Sequence, residues 1–384
     1  MLYKKIFITI ICIVLLFCTF SCVKAGSKGV IKIGAIFAVT GPASFLGAPE
    51  SKTAKMLVDE INASGGIKGY NLELIVKDTG ANPEKAISFT KQLIEEEQVF
   101  AIIGPSTSGE TMKIKNICEK AKTILISCGA AEAIVNPVAK YVFKTPQKDS
   151  DAVKQIYKTL NDLGIMRIGI LSANTGFGNA GKGQLVKIAP DYGMTILASE
   201  VYDKKATDLT GVLTKLKAKG VQAVVNWSIV PAQSIVAKNM KQMNMKVPLL
   251  QSHGFGNIKY VKAAGRAAEG IIFPCGRILV ADILPDNNKQ KDVLEKYKSS
   301  YESKFNEDVS TFGGHVYDAI TILEKAIRKA GNDREKARDA IEKISGLAGI
   351  GGVFSFSAED HNGLGMDAFE MLTVKDGEFV IYNE

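Results

Sequence analysis

Two short stretches carry the residues best suited to binding chemistry. The first is Ala101-Ile-Ile-Gly-Pro-Ser-Thr-Ser-Gly-Glu110 and the second is Thr123-Ile-Leu-Ile-Ser-Cys-Gly-Ala-Ala-Glu132. Each begins as an apolar, β-branched run of the kind found in buried parallel strands. The first turns at Gly104-Pro105, and a helical pattern then opens at Ser108-Gly109, beside Thr107, with Ile114, Ile117, Cys118 and Ala121 on one face. Ser108 stands where an N-cap belongs. Its hydroxyl and the free N–H groups of the first turn would face the C-terminal end of the strand, an arrangement that holds an anion. The second stretch ends in the small-residue loop Cys128-Gly129-Ala130-Ala131. Two adjacent strand ends with open backbone donors suit a carboxylate in the crevice of a doubly wound sheet. The plainer reading is two ordinary strand-to-helix turns.

Other groups stand at similar places. Trp227, the only tryptophan, follows the strand pattern of residues 222–226, and His253 follows the strand pattern ending at Gln251. Gly176-Phe-Gly-Asn-Ala-Gly181 satisfies GxGxxG, with Glu200 about twenty residues on. Ala173-Asn-Thr175 makes the turn before it looser than a dinucleotide fingerprint needs, so a flexible loop carrying Phe177 into a cleft is the expectation. Phe45 lies in a glycine-flanked loop, Thr40 to Gly47, and with Phe177 and Trp227 would form an aromatic lining. The three histidines, His253, His315 and His361, have no metal-ligand spacing. His315 reads as a structural residue of a helix and His361-Asn-Gly as a turn. No nucleophile elbow and no Cys–His pairing stands out, so no cofactor and no catalysis are expected.

The elements that must position these groups alternate strand and helix. Strands are predicted at 30–37, 70–78, 99–103 and 123–127, with helices at 51–62, 83–97 and from 108. Residues 141–146 read as an extended crossing. A second series follows, with strands at 167–172, 195–202, 222–226, 247–251 and 270–273 and helices between them. A second crossing at 275–287 leads to helices at 288–305, 312–330 and 333–345. A third lies at 353–356, before a hairpin around Lys375-Asp-Gly377. Repeated β–α–β units imply parallel sheets flanked by helices. Two such units joined by three crossings make an α/β body of two lobes with a hinged cleft. The expected lobes are 30–143 with 276–352, and 144–275 with 353–384.

Composition limits the function classes. The 384 residues are enough for two domains, and 46% hydrophobic with 23% charged content is ordinary for a globular protein. The net charge of +8 is scattered among acidic residues without a basic, aromatic-rich stripe, so nucleic acid is not an expected partner. Lys4 and Lys5 precede an apolar run from Ile6 to Phe20, the form of an export signal. Val23-Lys-Ala25 offers a cleavage site, making 1–25 the signal. Thr19-Phe-Ser-Cys22 is an imperfect lipid-attachment motif, the alternative exit, which would leave a lipid anchor on Cys22. Cys118, Cys128 and Cys275 remain in the mature chain; a Cys118–Cys128 disulfide is conceivable, subject to helix-to-strand geometry, and a buried free thiol is the expectation for each.

Several segments together resemble the periplasmic substrate-binding proteins of ABC transporters, branched-chain amino acid (leucine/isoleucine/valine) class. They are Ile33-Gly-Ala-Ile-Phe-Ala-Val-Thr-Gly-Pro42, Ile61-Asn-Ala-Ser-Gly-Gly-Ile67, Ile103-Gly-Pro-Ser-Thr-Ser-Gly109, Ser127-Cys-Gly-Ala-Ala131, Tyr141-Val-Phe-Lys-Thr145 and Phe255-Gly-Asn257. The resemblance implies a type I periplasmic binding protein fold and an exported, monomeric protein that closes on a small ligand. It also implies a permease and an ATPase as partners. By the same resemblance Ser108 grips the ligand carboxylate, helped by Thr107 and the Gly129-Ala130-Ala131 loop, where Ala131 replaces a usual Thr. Phe177 and Trp227 stand where Tyr is common. His253 stands where a Glu usually holds the ligand's α-ammonium. These departures suggest a carboxylate without an ammonium, an aromatic or aliphatic acid; a conventional branched-chain amino acid is the alternative. A sensing receptor subunit and an exported NAD-dependent enzyme are readings from other classes.

Overall fold

The computed structural model describes residues 28–383; the expected export signal and the choice between Ala25 and Cys22 lie outside them. The first lobe is built on a five-stranded parallel sheet. Its strands are β1 (Gly29–Phe37), β2 (Tyr70–Asp78), β3 (Ala101–Ile103), β4 (Ile124–Ser127) and β5 (Val142–Lys144), in the order β2-β1-β3-β4-β5. Residues 142–144 are therefore an edge strand of this sheet, paired in parallel with β4, and the crossing begins only after Lys144. β1, β3, β4 and β5 are buried almost throughout, which explains their continuous apolar runs.

The helices of this lobe include α1 (Ser44–Ala63), α2 (Pro83–Glu95) and α3 (Ser108–Lys120). α1 is longer than its pattern suggested. Residues 41–43 form a 3-10 turn that runs directly into the helix, so Gly47 and Pro49 are helical rather than loop residues. Gly47 is required by crowding, since a Cβ there would lie 2.2 Å from the Ala38 carbonyl carbon. Pro49 has no N–H to offer the Phe45 carbonyl, and that carbonyl instead accepts from Asn257 Nδ2 at 3.0 Å, a contact with the second lobe.

The second lobe begins with α4 (Asp149–Asp162), followed by β6 (Arg167–Ala173), α5 (Gly176–Ile188), β7 (Thr195–Tyr202), α6 (Thr210–Ala218), β8 (Ala223–Trp227), α7 (Ala232–Gln242), β9 (Leu249–Gln251), α8 (Ile258–Ala264) and β10 (Ile272–Cys275). The chain then returns to the first lobe with α9 (Lys291–Phe305), α10 (Thr311–Ala330), which lies along α1, and α11 (Arg334–Ile341). β11 (Leu347–Ala348) and β12 (Val353–Phe354) form a small antiparallel ribbon, so 353–354 is a paired strand and the third crossing follows it. β13 (Glu370–Lys375) and β14 (Glu378–Ile381) complete the second sheet, in the order β14-β13-β10-β9-β8-β6-β7. In this sheet β13 alone runs against the other strands, antiparallel to its neighbours β10 and β14. Strand order reverses between β1 and β3 in the first sheet and between β6 and β8 in the second, and ligands bind at such switch points.

Candidate functional site

The first lobe presents the end of β3 and the start of α3. The cap of α3 is Thr107, one residue before the predicted Ser108. Thr107 is extended, its Oγ1 accepts from Glu110 N at 3.3 Å, and its hydroxyl donates to Glu110 Oε2 at 2.6 Å. This is a capping box, legible as Thr-x-x-Glu. Ser108 is thereby the first helical residue. Its Oγ accepts from Ala131 N at 3.1 Å, so the hydrogen it has left is a donor for the space it lines. The loop after β4 is held from beneath by the fully buried Lys144, whose Nζ donates to the carbonyls of Ala130 (2.7 Å), Pro146 (2.9 Å) and Gln147 (3.1 Å). Burial lowers the Lys144 pKa to about 7, although Asp149 pulls it the other way. The Ala130 carbonyl and the Ala131 N–H belong to one peptide group, so the lysine polarises the same unit that donates to Ser108.

The second lobe presents the ends of β6, β8 and β9. Thr175 caps α5, accepting from Gly178 N at 3.0 Å, and Phe177 lies in the first helical turn. The expected flexible loop is therefore helix, and its glycines answer to packing. A Cβ on Gly176 would sit 2.5 Å from Gly109 Cα of the first lobe, and one on Gly181 would sit 2.1 Å from the Trp227 ring. Trp227 ends β8, wholly buried behind Phe177, their rings 5.6 Å apart. His253 follows β9 in a 3-10 turn, with its ring edge-on to Phe177, Trp227 and Phe369 at 5.3–5.7 Å. Neither of its ring nitrogens has a hydrogen-bond partner. Burial, with Lys144 and His315 adding to it, lowers its pKa to about 3.

The two halves meet around a small chamber. Ser108, Gly129, Ala130, Phe177 and His253 line it, together with Ser106, Cys128, Leu46, Ile229, Phe312 and His315. The centre of a water-sized sphere is free to move over about 20 Å³, room for about one water, so ligand entry requires the lobes to part. Outside it lies a vestibule of about 550 Å³ on the same measure, bordered by Thr107, Asn174 and Lys205. Phe177 and Ile229 border both spaces and form the partition. The remaining candidates lie elsewhere. Ala131 reaches the site only through its N–H to Ser108. Trp227 stands behind the wall, and Phe45 packs edge-on against Tyr260 at 5.0 Å.

Four groups at the site escaped the sequence reading: Ser106, Glu50, Lys144 and His315. Ser106 Oγ accepts from Ala38 N at 2.9 Å and is hydrogen-bonded to Glu50. Glu50 is fully buried, and loss of water raises its pKa to about 8. It shares a helical face with Leu46, Ala54, Leu57 and Ile61, and a carboxylate on an apolar stripe was the available signal. His315, read as structural, lines the chamber with Nδ1 unbonded. Among the described residues Cys118, Cys128 and Cys275 are free and buried, so Cys118 and Cys128 do not pair. Among the described residues no group of three or more His, Cys, Asp or Glu is placed to hold a metal.

A periplasmic binding protein family model matches residues 30–378. A leucine-, isoleucine-, valine-, threonine- and alanine-binding protein of Pseudomonas aeruginosa is 27% identical over 318 residues, 81% of this chain and 82% of the relative. Among solved structures, an extracellular ligand-binding receptor of Rhodopseudomonas palustris is 27% identical, with a TM-score of 0.86 over 92% of this chain and 99% of that one. The branched-chain amino acid transporter substrate-binding protein LivJ of Streptococcus pneumoniae, solved with isoleucine, is 26% identical, with a TM-score of 0.81 over 91% of this chain and 97% of that one. Two switch points facing each other across a hinged cleft, along the span the family model covers, have one reading: the chain belongs to the periplasmic binding protein family.

Proposed function

We propose that this protein is the extracytoplasmic solute-binding component of an ABC importer, and that it captures a small carboxylate lacking an α-ammonium. The carrying observation is the chamber's chemistry. It offers the Ser108 hydroxyl above a buried lysine, and no Asp or Glu side chain lines it among the described residues. An ammonium buried here would lack an anionic partner, because Glu50 stands behind Ser106 with its pKa at about 8 and His253 is an uncharged ring. Closure on the ligand would present both lobes to a permease driven by its ATPase.

The second reading is a branched-chain amino acid, favoured by what the relatives from P. aeruginosa and S. pneumoniae bind. Thermal unfolding against aliphatic and aromatic acids, their amides and leucine separates the two. Stabilisation by acids alone supports the first reading. Stabilisation by leucine or valine, with none by acids, overturns it.

A further inference from the structure

Nδ1 and Nε2 of His253 and Nδ1 of His315 are buried polar atoms without a hydrogen-bond partner. The two residues are 6% and 5% exposed, and both line the chamber. They come from opposite lobes, His253 from the turn after β9 and His315 from α10. A buried nitrogen without a partner is unfavourable, since it has given up water and gained nothing in return. Three at one small chamber are a standing cost that a bound ligand would relieve.

The charged groups around the pair decide what kind of ligand group fits. Lys144 lies close enough to depress both imidazole pKa values, and Asp149 lies beyond it. Glu50 is set back behind Ser106, and Asp318, on the same helix as His315, is engaged by the N–H groups of Ile350 and Gly351 at 2.6 and 2.7 Å. The neighbouring Cys128 thiol is pushed well up by burial. A cationic group at the histidines would face the lysine with no ionised acceptor. A second carboxylate only accepts, so it would pair with the N–H of a neutral ring and leave that ring's acceptor nitrogen unpaired, while burial and the lysine both resist an imidazolium. A neutral imidazole donates through one nitrogen and accepts through the other. A hydroxyl satisfies both roles, and a keto oxygen accepts from either ring. The rest of the wall is apolar: Leu46, Phe177, Ile229 and Phe312.

We propose that the chamber takes a small acid carrying a second, uncharged polar group, a hydroxyl or keto oxygen beside the carboxylate, and that His253 and His315 set this preference from the two sides of the cleft. This rests on the reading of the site as an acid site.

Calorimetric titration with two matched series tests it: isocaproate, its α-hydroxy and α-oxo derivatives and leucine, and phenylacetate, mandelate, phenylglyoxylate and phenylglycine. In at least one series the hydroxy or oxo acid is expected to bind about tenfold or more tighter than the unsubstituted acid. His315→Phe is expected to abolish that advantage, so that within the variant the hydroxy and oxo acids bind no tighter than the unsubstituted acid. His315→Gln, which retains a donor and an acceptor, is expected to keep part of the advantage and serves if the Phe variant does not fold. Equal binding of unsubstituted, hydroxy and oxo acids overturns this proposal and leaves the acid reading standing. Binding of leucine or phenylglycine alone, or of none of the acids, overturns both.

Discussion

Ser108 opens α3 and Glu50 lies in the second turn of α1, and their surroundings give the two polar groups opposite characters. Ser108 is anchored by the Ala131 N–H and keeps a hydrogen for the chamber. A hydrogen bond to a charged partner is worth about 1.5–3 kcal/mol. Ser108→Ala is therefore expected to weaken acid binding by about tenfold to a hundredfold in calorimetry and, because it leaves the buried Ala131 N–H without its acceptor, to lower the melting temperature of the free protein modestly. Glu50 has a folded-state pKa of about 8 against an ordinary 4.5, so the folded protein holds the extra proton. Its contribution to stability is fully present below pH 4.5 and is lost as pH rises through 8. Glu50→Gln, which cannot ionise, is expected to melt higher relative to the parent at pH 8 than at pH 5; a constant difference across that range contradicts the assignment.

At the scale of elements, the starts of α3 and α5 come together across the cleft at two glycines. Gly109 and Gly176 let backbone meet backbone, and a Cβ on Gly176 would collide with Gly109 at 2.5 Å. Gly176→Ala is expected to hold the lobes apart. Affinity for the ligand should fall by tenfold or more, and small-angle scattering should show less compaction on adding ligand than in the parent. The free protein's melting temperature should hardly change, because the contact exists only when the lobes close. Further closing contacts connect Asn257 to the Phe45 carbonyl at 3.0 Å and Gln184 to Glu132 at 3.2 Å. The first exists because Pro49, inside α1, leaves that carbonyl without its helical donor.

At the scale of the molecule, the chamber is closed to the point that about one water fits, so binding must proceed through an open form. A ligand at a hundred times its dissociation constant adds about 2.7 kcal/mol to the folded state. Differential scanning calorimetry is expected to show a rise of a few degrees at that concentration, growing with the logarithm of ligand concentration. A melting temperature independent of ligand at saturation contradicts binding in the cleft.

The alternation of apolar runs and amphipathic segments was enough to read two α/β units, their crossings and the loops at strand ends, because those features follow from local period and turn chemistry. β2 and β7 begin and end where the pattern places them, at 70–78 and 195–202. The start of α1 was hidden because Gly47 and Pro49 ordinarily punctuate helices, and only contacts with Ala38 and Asn257 explain their presence inside one. Ser108, Gly129, Ala130, Phe177 and His253 were legible as site candidates, since each sits at a strand's end in sequence. Glu50, Lys144 and His315 were not. Glu50 and Lys144 stand behind the chamber wall, on Ser106 and Ala130, and His315 lines it; they come from a helix face, an edge strand and a helix some 170 residues beyond Lys144, a convergence that only the packing of two lobes creates. The sequence by itself determined which strands end in binding loops. The tertiary structure decided the chamber's electrostatics, because the charge state of a carboxyl, an amine or an imidazole depends on how completely water is removed from it.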